Sequence, residues 1–354
     1  MIMVTGASGR FSSAVLAELR ARGIPAVGGS RTPSAGQRHV DFSVPDSLDF
    51  NGVDTLLLVP AGAQEDDRQI AFNRAAVEIA ARDGVSHLVY TSLTGAGDHL
   101  SMALPHRVTE RIIMASGMTW TILRNGVYAE ILGAPLSWER QQEEPARIVS
   151  PLGDGAVAAV ARQDLARAAA SVLSDPSGHG ERVYELVGSR AVSAADVAGC
   201  LGCEVRDIGL GEYRQLLAGG GMPAFRQSLM LSIASVIRHG FLAGIGDDLP
   251  SLLGGAPTDP LAVAAEALAA RRAVVPYVAC SRGRGYEPTT YPTNARKAEA
   301  PWPHCWRRVR CEVGAGVRKL VSAGGVELQL TCNDRGAPRR RPGRDWPVGR
   351  RRRR

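Results

Sequence analysis

The sequence predicts an α/β fold, a doubly wound parallel sheet followed by a smaller C-terminal α/β lobe. Three observations carry this. Through the first 190 residues short apolar runs alternate with amphipathic helical patterns. Several runs, such as "TLLLVP" at 55–60, are apolar on both faces, as strands covered on both sides must be. The first run, "MIMVT", passes through a glycine turn directly into an alanine-rich helix.

Taken in order, "MIMVT" reads as a strand and residues 12–22 as a helix bearing Ala14, Val15, Leu16 and Leu19 on its apolar side. "AVGGS" is a second strand and "TLLLVP" a third. A helix over about 66–83, the strand "HLVYTS", a helix from His106 to Ser116 and the strand "TWTILRNG" complete a nucleotide-binding core over about 1–135. Beyond it the rhythm loosens into a lobe over about 136–269. There "AVAAVARQDLARAAASVLSD" predicts a strand then a helix, and "RVYELVG" another strand. Ser193 with Asp196 has the spacing of a helix start, and two or three short helices fill 212–270.

Charge divides the chain near Arg271. From there to the end 21 basic residues face 6 acidic ones, against 21 and 29 in residues 1–270, so the body is mildly acidic and the tail carries the positive charge. The body thus gives no reason to expect nucleic acid as a partner. The tail, 270–354, ends in "GRRRRR" and holds four of the six cysteines. It reads as a disordered segment or as the Arg/Pro/Gly-rich text of a shifted reading frame, with a nucleic-acid arm or a polybasic membrane patch as the functional alternatives. Only Cys200 and Cys203 lie in the body; without a second ligand pair the spacing is a weak metal signal and no metal site is expected. Few cysteines, no secretory leader pattern and no apolar stretch long enough to cross a bilayer together predict a cytoplasmic protein.

The residues that bear chemistry begin with "VTGASGRF". Gly6 permits the tight turn after the strand, and Gly9 lets backbone N–H groups approach a pyrophosphate at the helix N-terminus. Ser12 stands where a third glycine is usual, a position that governs packing. The end of the second strand reads "GGSRTPS", with Arg31 in place of the carboxylate that would hold a free ribose hydroxyl, which favours NADP(H) over NAD(H); a solvated loop arginine is the plain alternative. Asp41 and Phe42 border an adenine or simply pack.

Residues 1–270 contain no lysine, which excludes a P-loop there and a Tyr-x-x-x-Lys proton relay. Ser92 occupies the serine position of such a relay, while His106 and Glu110 stand at i, i+4 where its tyrosine and lysine would lie. His106 is a candidate donor to a substrate oxygen, oriented by Glu110, or else a helix-start residue beside a surface acid. Arg124, Asn125 and Tyr128 emerge at the carboxyl edge of a strand, where ligands of open α/β sheets bind; Asn125-Gly126 is otherwise a turn pair. Arg162 reaches the cofactor from the second lobe or lies on the surface.

In series, "VTGASGRF", "SRTPS", "GVSHLVYTSL", "HRVTE", "TWTILRNGVYAE" and "LLGGAPTDPL" make residues 1–268 resemble the NmrA-like branch of atypical short-chain dehydrogenases, and most of all its bacterial NADPH-dependent quinone oxidoreductases. The resemblance implies a Rossmann-like domain with NADPH in the cleft below a small lobe. It also implies a cofactor-binding set. In the first turn this comprises Gly6, Ala7, Ser8, Gly9, Arg10 and Phe11. Arg31, Asp41 and Phe42 follow, then Val59 and Pro60, Thr91 and Ser92, and Arg162 from the lobe. The catalytic candidates remain those the residues themselves offer, His106 with Asn125 or Tyr128 as donors to the acceptor. The chain departs from the family at Phe11-Ser12 and at "PAG" after "LLLV", where serines are common. Hydride transfer to a quinone or a similar small acceptor is the implied activity, with a possible homodimer. A non-catalytic NADP(H)-binding redox sensor is the alternative, since other NmrA-like members share the missing relay.

Overall fold

The computed structural model describes residues 1–60, 65–132, 136–138, 146–220, 222–274, 318–321 and 327–330. The chain divides into two compact units, Met1–Ala273 and Val274–Arg354. In the second, the described residues are β-strands Arg318–Val321 and Glu327–Leu330, paired antiparallel. The rest of the basic tail lies outside the described residues.

The first unit opens with β1 (Ile2–Thr5), α1 (Arg10–Ala21), β2 (Ala26–Ser30) and β3 (Arg38–His39). Next come β4 (Thr55–Leu58), α2 (Asp66–Arg82), β5 (His87–Leu93), α3 (Ala103–Met114) and β6 (Thr119–Asn125). The segment that follows carries α4 (Ala129–Leu132), β7 (Ser137–Trp138), β8 (Arg147–Ser150), β9 (Ala156–Val157), α5 (Arg162–Ser174) and β10 (Arg182–Leu186). It closes with β11 (Val192–Ser193), α6 (Ala194–Leu201), β12 (Glu204–Asp207), α7 (Leu210–Gly219), α8 (Ala224–Arg238), α9 (Asp248–Leu253) and α10 (Pro260–Val274).

Seven strands form one parallel sheet in the order β10-β6-β5-β4-β1-β2-β3. The order reverses between β1 and β4, which opens a crevice at their carboxyl ends, the Rossmann arrangement. β4 and β5 are buried along their whole length, as the two-faced apolar runs predicted. Val4, Leu57, Val89 and Leu123 pack on one face with α1, α5 and α9, while Met3, Leu56, Leu58, Tyr90 and Ile122 pack on the other with α2 and α3. A third apolar cluster joins α4, α6, α7, α8 and α10 with β8 and β9 in the smaller lobe.

Two expectations need correction. The core does not end at residue 135: α5 packs on α1, and β10 joins the main sheet beside β6, with Tyr184 opposite Leu123. A parallel partner must be reached by a long crossover, so the chain leaves the sheet after β6 and returns through α5. The last stretch holds four helices rather than two or three, α8 running 15 residues. The Ser193–Asp196 helix start is a reciprocal capping box, Ser193 Oγ accepting from Asp196 N at 3.1 Å while Asp196 accepts from Ser193 N at 2.8 Å. Among the described residues no helix is long and apolar enough to cross a membrane.

Candidate functional site

Gly6 begins the turn after β1 with φ +65°, a left-handed conformation that favours glycine. At Gly9 an added Cβ would lie 3.1 Å from the Gly6 carbonyl oxygen, so this position also suits a residue without a side chain. Ala7 is buried and its N–H donates to Gly29 at 2.9 Å, which docks the turn on β2, while Ser8, Gly9 and Arg10 are exposed. Gly9 caps α1 without any side-chain hydrogen bond among the described residues, which leaves the N–H groups of the first turn, from Arg10 onward, without a side-chain cap. The Phe11 side chain points into the core, so only its backbone faces the crevice. Ser12 is buried, and a Cβ on Gly6 would meet its Oγ at 3.4 Å, an ordinary contact: the hydroxyl fills the space of the missing glycine without strain.

Thr5 ties the two sides of the crevice together. Its Oγ1 accepts from Val59 N at 2.8 Å and lies 3.2 Å from both the Leu57 and the Val59 carbonyl oxygens. Val59 and Pro60 are thereby fixed, half-buried, across from the glycine turn. A cradle of glycine backbone, a helix N-terminus free of side-chain capping, and a rigid opposing rim fit a dinucleotide pyrophosphate.

Arg31 is exposed just past β2. Asp41, half-buried nearby, accepts from Ser43 N and Oγ at 2.9 and 2.7 Å. Burial pushes its carboxyl up, but these bonds and the charges of Arg31 and His39 prevail and hold it below the usual carboxylate range. Phe42 packs with Val40, Leu48 and Phe50 in the core.

On the α3 side of the sheet the expected His106–Glu110 pairing is not formed. Glu110 accepts from Ser92 Oγ at 2.5 Å, from Arg107 Nη1 at 2.7 Å, and from Arg124 Nε and Nη2 at 3.0 and 2.7 Å. Arg124 also donates to Glu185 Oε1 at 3.0 Å, and Glu185 Oε2 accepts from Thr94 Oγ1 and Gly95 N. Arg107 closes the circuit on Asp98 and on the Thr94 carbonyl. Ser92 and Arg124 are therefore committed to this network rather than presented to a ligand. The sequence carries its signal in the number of charges around "PHRVTER" and "ILRNG", but not in their pairing, which requires β5, β6, β10 and α3 to converge.

His106 instead lies 3.0 Å from the Tyr90 hydroxyl through Nδ1. Burial drives its pKa down to about 4, helped by the Arg107 charge and opposed by Glu110, so the imidazole is neutral at pH 7. Burial also raises the Tyr90 hydroxyl above its ordinary value. Thr91 points to the opposite face of β5 and is buried.

Past β6 the chain is pinned to the approach of α5: Val160 N donates to the Val127 carbonyl at 2.9 Å, and Ala129 N to the Val160 carbonyl at 2.8 Å. This brings the Arg162 guanidinium over the Tyr128 ring at 5.2 Å, and Glu130 accepts from Arg162 N while pairing with its side chain at 3.6 Å. Burial raises the Tyr128 hydroxyl pKa, with the Arg162 charge and an Asn125 hydrogen bond acting the other way. Asn125 is buried, and its Oδ1 has no hydrogen-bond partner among the described residues. Cys200, on α6, and Cys203, in the turn before β12, form no disulfide among the described residues, and Cys203 Sγ donates to the Ala198 carbonyl at 3.6 Å.

Residues 6–176 match a family described as NAD(P)H-binding. Quinone oxidoreductase 2 of Escherichia coli (strain K12) is 33% identical over 215 residues, 56% of this chain and 72% of that protein. An NmrA-like family domain-containing oxidoreductase of Aspergillus flavus is 29% identical over 171 residues, 45% of this chain and 53% of that protein. Among solved structures, the Citrobacter sp. triphenylmethane reductase complexed with NADP(H) superposes with a TM-score of 0.67 at 28% identity, covering 75% of this chain and 99% of its own.

Proposed function

The chain belongs to the NAD(P)H-binding, NmrA-like family of oxidoreductases, and from that premise we propose that it is an NADPH-dependent reductase of quinones or similar small acceptors. The observation that carries the acceptor class is the mutual commitment of Ser92, Arg107, Glu110 and Arg124, together with a neutral His106. No group in this set is poised to deprotonate an alcohol. A quinone asks less of the protein: positioning beside the cofactor and a donor to the oxygen that gains charge.

When bound, NADPH supplies the hydride, and the quinone takes up that hydride and one proton to become the hydroquinone. The glycine turn and the first turn of α1 hold the pyrophosphate, the Val59–Pro60 rim faces it, and Arg31 receives the 2′-phosphate, which sets the preference for NADP(H) over NAD(H). This reading requires the tautomer in which Tyr90 donates to Nδ1 of His106, which puts the ring proton on Nε2 as a neutral hydrogen-bond donor to the acceptor oxygen. Tyr128, held by Arg162 and Asn125, lines the same carboxyl edge from the lobe side.

Steady-state NADPH oxidation with a panel of benzoquinones and naphthoquinones tests this reading, with turnover expected. The absence of turnover by protein that binds NADPH would reject the enzyme. The same protein strongly distinguishing NADPH from NADP⁺ without turnover would favour a redox sensor.

A further inference from the structure

We propose that Asn125 Oδ1 is the acceptor for the carboxamide –NH₂ of the bound nicotinamide, and so fixes which face of the ring is turned to the substrate. This rests on the dinucleotide reading above and assigns a role to an atom which that reading leaves unexplained.

Hydrogen-bond accounting leads to it. The Asn125 backbone is spent: its carbonyl accepts from Thr94 N at 3.0 Å, and the strand pairs with β5 at Leu93 and with β10 at Leu186. The side-chain amide supports Tyr128. Oδ1 alone is left, in a residue only 6% exposed, without a partner among the described residues. A buried carbonyl oxygen in that state carries an uncompensated desolvation cost unless something donates to it.

Position narrows what donates. Asn125 closes β6, and alternation along the strand puts it on the face of Leu123, the side packed by α1 and α5. It therefore shares a sheet face and carboxyl edge with the glycine turn. Its strand is the third from β1, through β4 and β5, about 14 Å away at ~4.8 Å per strand. A dinucleotide whose pyrophosphate lies at α1 extends its nicotinamide half along that edge.

Chemistry narrows it further. A quinone carries oxygen acceptors and no donor, so an orphaned acceptor does nothing for it. The nicotinamide carboxamide carries two N–H donors. An Asn125 oxygen thus recognises the cofactor, while donation to the acceptor is left to His106.

The test is calorimetric and needs no turnover. Full-length protein is titrated with NADP⁺, with its 3-acetylpyridine analogue, in which –CH₃ replaces –NH₂, and with adenosine 2′,5′-bisphosphate, which lacks the nicotinamide. Wild type is expected to prefer NADP⁺ over the analogue by about tenfold, one buried hydrogen bond's worth. Asn125→Leu, which keeps the branch at Cγ, should bring that ratio to within about twofold while binding the bisphosphate as wild type does. Asn125→Val runs in parallel, since a β-branched residue suits a strand end. Equal affinity of wild type for NADP⁺ and the analogue, or a wild-type ratio in either folded variant, overturns the proposal. Wild type that binds none of the three ligands removes the dinucleotide reading as well.

Discussion

Arg124 clasps Glu110 through both carboxylate oxygens, Nε donating to Oε1 at 3.0 Å and Nη2 to Oε2 at 2.7 Å. Glu110 is almost fully buried, and a second guanidinium, Arg107, shares its Oε1. Burial pushes the Glu110 carboxyl up, but the Arg124 and Ser92 hydrogen bonds and the two arginine charges outweigh it and hold the group below its usual value. The pair ties β6 to α3 and, through Glu185 and Thr94, to the loop leading into α3.

Removing the carboxylate leaves Arg124 with Glu185 and Arg107 with Asp98, and takes from both guanidinium groups their buried shared partner. Glu110→Leu is expected to destabilise the protein by about 3 kcal/mol, the usual cost of deleting one partner of a buried ion pair. Urea unfolding at pH 7 measures it; a loss under about 1 kcal/mol would show that the network is solvated in solution.

His106 makes folding pH-dependent in a definite window. Its unfolded pKa is near 6.5 and its folded value about 4. Between these values the unfolded chain binds more protons, so stability rises as pH climbs from about 4 to 6.5 and is level above. The contribution is on the order of 3 kcal/mol across the window. His106→Leu should flatten the curve of unfolding free energy against pH there, leaving the smaller slopes of His87 and His179, whose pKa values burial also lowers. Glu110 acts lower on the scale: its contribution is present above the unfolded carboxyl value and is lost as pH falls through the lowered folded one. A wild-type slope retained in the variant would show that His106 is hydrated in the folded protein.

On the proposed activity, the same neutrality would shape turnover. A donor that does not ionise near pH 6.5 gives a kcat profile without a break between about pH 5.5 and 8. His106→Leu should lower kcat with a benzoquinone by about a hundredfold, the usual effect of losing one positioned donor, with the NADPH Kd unchanged. Tyr90→Phe, which frees Nδ1, should lower kcat less and leave KM unaltered. A kcat break at pH 6.5 in wild type would mean that the imidazolium is the donor.

Much of this was legible in the sequence because it is local. The glycine turn, the two-faced apolar strands and the Ser193–Asp196 cap each depend on residues within a few positions of one another, and each stands as read. The return of β10 to the sheet was not legible, because "RVYELVG" looks alike at an edge and in a separate lobe. Nor was the fate of Glu110. An i, i+4 spacing puts His106 and Glu110 on one helix face, yet two arginines 17 residues apart compete for the carboxylate, and charge pairing across strands outweighs helix adjacency. The buried Tyr90 was read only as part of an apolar run, and it is His106's actual partner.

Arg31 offers the test of cofactor choice. It lies past the end of β2, where the adenosine ribose of a dinucleotide held by α1 arrives. Its charge reaches Asp41, the nearby carboxylate, and helps keep that group ionised. On the proposed reading a 2′-phosphate would be met by one guanidinium beside one negative charge already held down by Ser43, and the net preference would turn on the arginine. Arg31→Ala is expected to weaken NADPH binding by about tenfold, a charge-assisted hydrogen bond's worth, and to leave NADH within about twofold of wild type. Arg31→Glu should go further and reverse the order, since a carboxylate accepts from the free ribose hydroxyls and repels the phosphate. Fluorescence titration with both reduced cofactors at fixed ionic strength gives the four affinities. An Arg31→Ala protein that loses NADPH and NADH affinity equally would place the side chain against the shared part of the cofactor and remove it as the selector.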